Sequence, residues 1–298
     1  MFGIQKTTIM TEEILYKRRS SIACLADALD LMNNNIATIL RKCWPYMLAT
    51  ALLVAAIVTA MVNILAGKPL MINGIVAAAA SVAAIAAYSL FYGKIISGLS
   101  GDGFIDTSKR IALFMLIMIA VTVVFIAFVY GIGYALGVVA INHLSILKHI
   151  NIIVTILSIL VSVAFIVVLI PFVYVGMKYF YDNTTVRKFC KEYKTGMHYF
   201  FYILGTSLLL LFVIAIIGTI VGLPITILFN AAISSSASTM IGDPSDLPSN
   251  FSTLTFAVAF VVSLIYALIS IWELLVARYI YGSIEKRKEM LSQADKVE

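Results

Sequence analysis

The sequence predicts an all-α polytopic membrane protein: six transmembrane helices as three antiparallel hairpins, with amphipathic interfacial helices on one side of the bilayer. Three observations carry that expectation. The 298-residue chain is 62% hydrophobic and 12% charged, with a mean hydropathy of +1.03, where a soluble domain carries about 25% charged residues. Six apolar stretches reach the roughly 20 residues that a helix needs to cross hydrocarbon: Tyr46–Leu65, Ile72–Ile96, Ile111–Ile141, Ile150–Tyr181, Tyr199–Ile233 and Leu254–Gly282. Third, the basic residues alternate with these stretches. Lys6, Lys17, Arg18, Arg19, Arg41 and Lys42 precede the first, and Lys94, Lys109 and Arg110 lie between the second and third. Lys178, Arg187, Lys188, Lys191 and Lys194 lie between the fourth and fifth, and Arg278, Lys286, Arg287, Lys288 and Lys296 close the chain. Only Lys68 and Lys148 fall in the opposite loops. By the positive-inside rule both termini are expected in the cytoplasm.

Residues 1–45 read as a cytoplasmic segment holding an amphipathic helix. Ile22, Leu25, Leu29, Met32, Ile36 and Ile39 follow 3–4 spacing, with Ser20 or Ser21 as cap. Such a helix lies on the inner leaflet or packs under the bundle; a partner-binding helix is the alternative. The first 43 residues are too polar for a cleavable signal, so the first span is expected to act as an uncleaved insertion signal. Residues 46–282 read as the six-helix domain, opened by a hairpin that turns at Gly67, Lys68 and Pro69. The alanine-rich run Ala77–Ala87 lets backbones approach closely and predicts a central second helix. Gly133 with Gly137, and Gly218 with Gly222, repeat small-residue spacing suited to packing within the chain.

Pro171 and Pro224 fall inside the fourth and fifth spans, where each removes a backbone bond and kinks its helix. A second amphipathic stripe, Val186, Phe189, Tyr193 and Met197, follows a cap at Thr184 or Thr185. The stretch Ser234–Ser252, with Asp243, Pro244, Asp246 and Pro248, reads as a solvated outer loop. Residues 283–298 read as a basic cytoplasmic tail.

Chemistry is sparse. Glu273 is the acid that stands inside an apolar span, where a charge costs about 2.5–3.5 kcal/mol at mid-membrane. Counted from Leu254 it falls near the inner boundary, so a structural ion pair with Lys94 or Lys178 competes with a place on a transport path. His143 and His149 lack further ligands for a metal, and no phosphate loop or nucleophile elbow is visible. Cys24, Cys43 and Cys190 have no paired spacing and read as reduced thiols. No catalytic, cofactor-binding or metal site is expected. The +6 charge is spread over several segments, which points to anionic lipid headgroups as partner and not to nucleic acid.

The segment Ala28-Leu29-Asp30-Leu31-Met32-Asn33-Asn34-Asn35, leading through Trp44-Pro45-Tyr46 into the first hairpin, resembles a loose group of bacterial six-span inner-membrane proteins. That group includes YciC-like proteins and the membrane domain attached to some glycerophosphodiester phosphodiesterases. The resemblance implies a six-helix domain of the bacterial inner membrane. The soluble phosphodiesterase domain has no counterpart here, so no such activity is implied. The expected function is that of a non-enzymatic envelope or membrane-complex component, with a protein partner or a homo-oligomer. A transporter or channel for a small or lipophilic solute is the alternative.

Overall fold

The structure is a computed structural model that describes residues 15–142, 150–182, 185–242 and 247–294. Lys6, His143, Lys148, His149, Thr184, Asp243, Pro244, Asp246 and Lys296, all used above, lie outside the described residues. The described chain is helical: α1 Ser21–Leu65, α2 Leu70–Ser100, α3 Phe104–Asn142, α4 Ile150–Leu169, α5 Phe172–Tyr181, α6 Phe189–His198, α7 Phe200–Met240 and α8 Phe251–Ala294. Six helical stretches are long and apolar enough to cross a membrane, α4 and α5 together forming one of them. Their surfaces carry Val124, Phe128, Phe212, Ile220 and Val261, each more than half exposed. An aqueous protein does not leave such continuous apolar surface bare. These are lipid-facing positions of a multi-pass membrane protein.

The chain divides into two compact units, Met1–Ala112 with Gly205–Glu298, and Leu113–Leu204. In the first unit α1 packs along both α2 and α8. Its contact faces are made of small residues: Thr50, Ala51, Ala55 and Ala60 are essentially buried. Within this unit the helix with a neighbour on either side is α1, not the alanine-rich second span. In α2 Ala80, Ala84, Ala87 and Phe91 are buried, with Ser89, Gly93, Ile95 and Ile96 toward its end, while Ala78, Ala79, Val82, Ala83 and Ala86 are exposed. Composition alone could not separate the two, because alanine suits a tight interface and also tolerates lipid.

The amphipathic N-terminal segment and the first span form one 45-residue helix with Pro45 inside it. The Ser20 hydroxyl caps it, accepting from the Ala23 N–H at 3.3 Å. This helix is bent. At one end the Ser252 hydroxyl donates to Asn63 at 2.7 Å; at the other, the Trp272 indole N–H donates to the Leu25 carbonyl at 3.2 Å. Between those bonds α8 covers about 30 Å and α1 about 57 Å at 1.5 Å per residue. Side-chain reach does not absorb the difference, so α1 is not straight. Pro45, which cannot donate to the carbonyl four residues before it, supplies the weak point. Residues 21–44 therefore form an arm that crosses α8, and 46–65 form the span.

The arm turns an unexpected side to the protein. Cys24, Ala28 and Cys43 are buried, with Leu31 and Asn35 half-buried in the same row. The large apolar stripe, by contrast, includes Ile22 at 72% and Leu29 at 43% exposure. The two rows lie about a quarter turn apart on the helix. One flank meets the protein; of the neighbouring flank Ile22 and Leu29 are left for lipid, while Leu25, Met32, Ile36 and Ile39 are half-buried.

Helix α8 runs on past the span, and Ser283 and Ile284 near its end are buried. The chain before α1 lies on it. Leu15 sits so close to Gly282 that a Cβ there would meet the Leu15 carbonyl oxygen at 2.5 Å. The Arg19 guanidinium pairs with Asp27 at 2.6 Å, donates to the Leu15 carbonyl at 3.0 Å and lies 4.3 Å from the Tyr279 ring centre. The Arg19 N–H donates to the Ser283 hydroxyl at 3.1 Å, and Arg287 donates to the Arg19 carbonyl at 3.0 Å.

Helix α7 extends through Met240, so Ser234–Met240 is helical where a loop was expected. The hydroxyls explain it: Ser238 donates to the Ser234 carbonyl at 3.0 Å and Thr239 to that of Ser235 at 2.9 Å. Bonds four residues back satisfy these side chains without unwinding the helix.

In the second unit the fourth span is interrupted: α4 ends at Leu169 and α5 begins at Phe172, with Pro171 as its N-cap. Helix α6 lies across the break. A Cβ on Gly196 would meet Pro171 Cβ at 2.9 Å, and the Tyr193 hydroxyl donates to the Val168 carbonyl at 3.2 Å. In the stripe, Phe189 packs edge-on to Tyr179 at 5.1 Å and Tyr193 against Phe172 at 5.4 Å. Lys178 bridges Asp182 at 3.4 Å and Glu192 at 3.6 Å, tying α5 to α6.

Candidate functional site

Both ends of the first unit hold polar groups, and they differ in kind. At the hairpin end Asn63 donates to Asn73 at 3.3 Å and accepts from Ser252, which in turn accepts from the Lys68 ammonium. This knot ties the ends of α1, α2 and α8 with neutral side chains and one exposed lysine. Nothing in it is aimed at a ligand.

The opposite end carries a cleft. It opens where the arm of α1 passes the end of α2; its volume is about 30 Å³, or about 410 Å³ when the open solvent around it is counted. Leu31, Ile39, Ile95, Leu99 and Leu275 give it apolar walls; Asn35, Thr38, Lys42 and Lys94 are its polar groups. The hairpin register sets Ile39 and Lys42 beside Ile95 and Gly98, and the bend brings Leu31 back to close the cleft against Leu275. The ammonium groups of Lys94 and Lys42 both act electrostatically on the Cys43 thiol. Lys94 also lies 4.9 Å from the ring centre of Phe104, and Phe104 contacts Tyr46 at 5.6 Å. Neither lysine has a carboxylate partner among the described residues, and no carboxylate lines the cleft.

Glu273 is half-buried on α8. Its electrostatic neighbours are two tyrosines of α2, Tyr88 and Tyr92, whose rings stack at 5.9 Å. The Tyr92 hydroxyl also bonds the Ser270 side chain. The ion pair anticipated for Glu273 is not formed among the described residues. Lys94 is turned to Phe104, and Lys178 is held by Asp182 and Glu192 within its own unit. A carboxylate beside phenols, at the foot of an apolar helix, can accept or pass a proton but has no cation to neutralise it.

Of the two prolines, Pro171 breaks its helix, whereas α7 continues through Pro224. Near Pro224, Gly218 and Gly222 receive Tyr266 of α8: its hydroxyl donates to the Gly218 carbonyl at 2.9 Å. A Cβ on Gly218 would stand 3.1 Å from that oxygen. The glycine pair is thus occupied by packing within the chain. Gly133 has nothing within 4 Å of an added Cβ. Among the described residues no cluster of three metal-ligating side chains occurs.

Sequence reasoning counted Lys42 among the basic loops and weighed Lys94 as a partner for Glu273, but did not bring the two together. Their equal distance from the turn at Gly67, Lys68 and Pro69 was the visible signal. Tyr88 and Tyr92 were not singled out, though their four-residue spacing puts both on one face of α2. Comparison with known proteins finds no matching family model, no similar curated protein and no similar solved structure.

Proposed function

We propose that this chain is a non-enzymatic component of the bacterial inner membrane, with both termini in the cytoplasm, working as a scaffold for a membrane complex. The observation that carries the reading is the fastening of the N-terminal segment to the α8 extension through Arg19, Tyr279, Ser283 and Arg287. Two extramembrane stretches, far apart in sequence, become one ordered body. That body carries Lys286 and Lys288 on its rim, each paired to a glutamate three residues away. An ordered basic body joined to lipid-facing helices suits a docking role at an anionic surface.

The test has two parts. Reporter fusions after residue 68 and after residue 294 should report opposite compartments, the second cytoplasmic. The full chain in lipid nanodiscs should run as a homo-oligomer or hold one stoichiometric partner. A solitary monomer that moves solute across proteoliposomes would overturn the scaffold reading. The second reading, a transporter, is favoured by one observation, the Glu273, Tyr88, Tyr92 and Ser270 group within apolar helices. It requires flux that Glu273→Gln abolishes.

A further inference from the structure

We propose that the cleft between the α1 arm and the end of α2 is a binding site for one anionic phospholipid, its phosphate held between Lys42 and Lys94. Four observations converge. First, Lys42 and Lys94, from different helices, both line the cleft, and neither is neutralised by a carboxylate among the described residues. Second, their depth is right. Lys42 lies about 35 Å along α1 from its hairpin end, and Lys94 about 36 Å along α2 from the same end, at 1.5 Å per residue. The hydrocarbon core is about 30 Å thick, so both ammonium groups reach just beyond it, at the level of phosphates. Third, the walls are apolar on three helices, through Leu31, Ile95 and Leu275. A soluble anion gains nothing from such walls, whereas the glycerol and first methylenes of a lipid do. Fourth, Thr38 and Asn35 add hydroxyl and amide groups beside the lysines, which suits ester and phosphate oxygens.

A lysine pair without a lipid would be kept apart by charge repulsion, which a phosphate between them removes. Basic pockets between membrane helices recognise anionic headgroups in this way. The proposal stands whichever compartment the basic end faces, so it can fail or hold independently of the scaffold reading.

The experiment uses the full chain in nanodiscs of phosphatidylcholine with a minor share of phosphatidylglycerol, followed by native mass spectrometry. The wild type should retain one phosphatidylglycerol per chain in preference to phosphatidylcholine. The double variant Lys42→Gln/Lys94→Gln should weaken that retention roughly thirtyfold, since each basic group near an anionic surface contributes about a factor of five. Gly98→Leu offers a variant that keeps both charges. Gly98 lines the cleft and has nothing within 4 Å of an added Cβ, and leucine favours the helix over glycine. It should fill the cleft and expel the lipid while the fold stays intact. Lys286→Gln, on the α8 extension, should leave retention unchanged. Equal retention of both lipids overturns the proposal, as does full retention in either cleft variant. Displacement of the lipid by millimolar inorganic phosphate also overturns it, by showing a site for a free anion.

Discussion

Removing Arg19 should release the N-terminal segment from α8 while leaving the membrane helices in place. Arg19 is 5% exposed. Its side chain makes a charge-assisted bond to the Leu15 carbonyl, an ion pair with Asp27 and a face contact with Tyr279. Substitution by alanine spares the bonds made by its backbone to Ser283 and Arg287. A bond from a charged donor contributes about 1.5–3 kcal/mol and a cation–π contact about 0.5–1. The Asp27 side chain is 42% exposed, so that pair adds no more than about 1 kcal/mol. These terms share one side chain and are not additive, which leaves about 2–3 kcal/mol of local stability.

Cys24 reports the loss. It is buried on the first turn of α1, beside the Tyr279 that Arg19 covers. With Cys190→Ser removing the exposed thiol, maleimide reacts with Cys24 only through local opening, at a rate set by the opening equilibrium. A change of 2–3 kcal/mol raises that rate by about 30- to 150-fold. Cys43, buried across the arm, serves as the internal reference and should hold its rate. Arg19→Lys should fall between, since lysine keeps the charge without the planar fork. Peptide mapping assigns each label. A Cys24 rate within threefold of the parent would refute the reasoning, and a parallel rise at Cys43 would show global loosening instead.

Three further outcomes follow from the packing. Ala55→Leu, at a position without exposure between α1 and its neighbours, should cost about 1–3 kcal/mol by overpacking, while Ala83→Leu on the exposed face of α2 should change thermal stability in detergent by little; the reverse ranking would show α2, not α1, to be the tightly packed helix of this unit. Tyr266→Phe should cost about 0.6 kcal/mol, the average for a hydrogen bond between membrane helices, and Gly218→Leu should cost more because its side chain displaces the whole ring; melting of the two variants side by side gives the order. Glu273→Gln should leave stability unchanged or raise it, because a charge leaves an apolar helix without orphaning a cation; a clear drop in melting temperature would show that a hidden cation depends on that acid.

What could be read from residues alone follows the physics that wrote it. Spans and their number come from hydropathy over about 20 residues, which lipid enforces one helix at a time. What depends on two helices meeting stayed hidden. Ile22 and Leu29 look like a core stripe, yet lipid accepts them as readily as protein does, so the buried row is Cys24 and Ala28 beside them. The serines of 234–240 look like a loop, because water and a carbonyl four residues back satisfy a hydroxyl equally well. The partners of Glu273 were sought among cations, since charge pairs are visible in a sequence and phenols at helical spacing are not.

The bend at Pro45 links these levels. Trp44, directly before it, is 54% exposed, and an exposed indole is most stable at the membrane–water boundary. That fixes the depth of the bend at the interface. An arm that leaves the span there must run along the surface, with Ile22 and Leu29 toward the acyl chains and Asp30 toward water. The hairpin register alone sets Lys42 level with Lys94; the bend carries Leu31 back toward Leu275 and so adds the third wall of the cleft. Pro45→Ala restores the donor and favours a straighter helix. It should weaken phosphatidylglycerol retention while both lysines remain. Undiminished retention in that variant would mean that the contacts of Leu25 with Trp272, and not the proline, hold the arm in place.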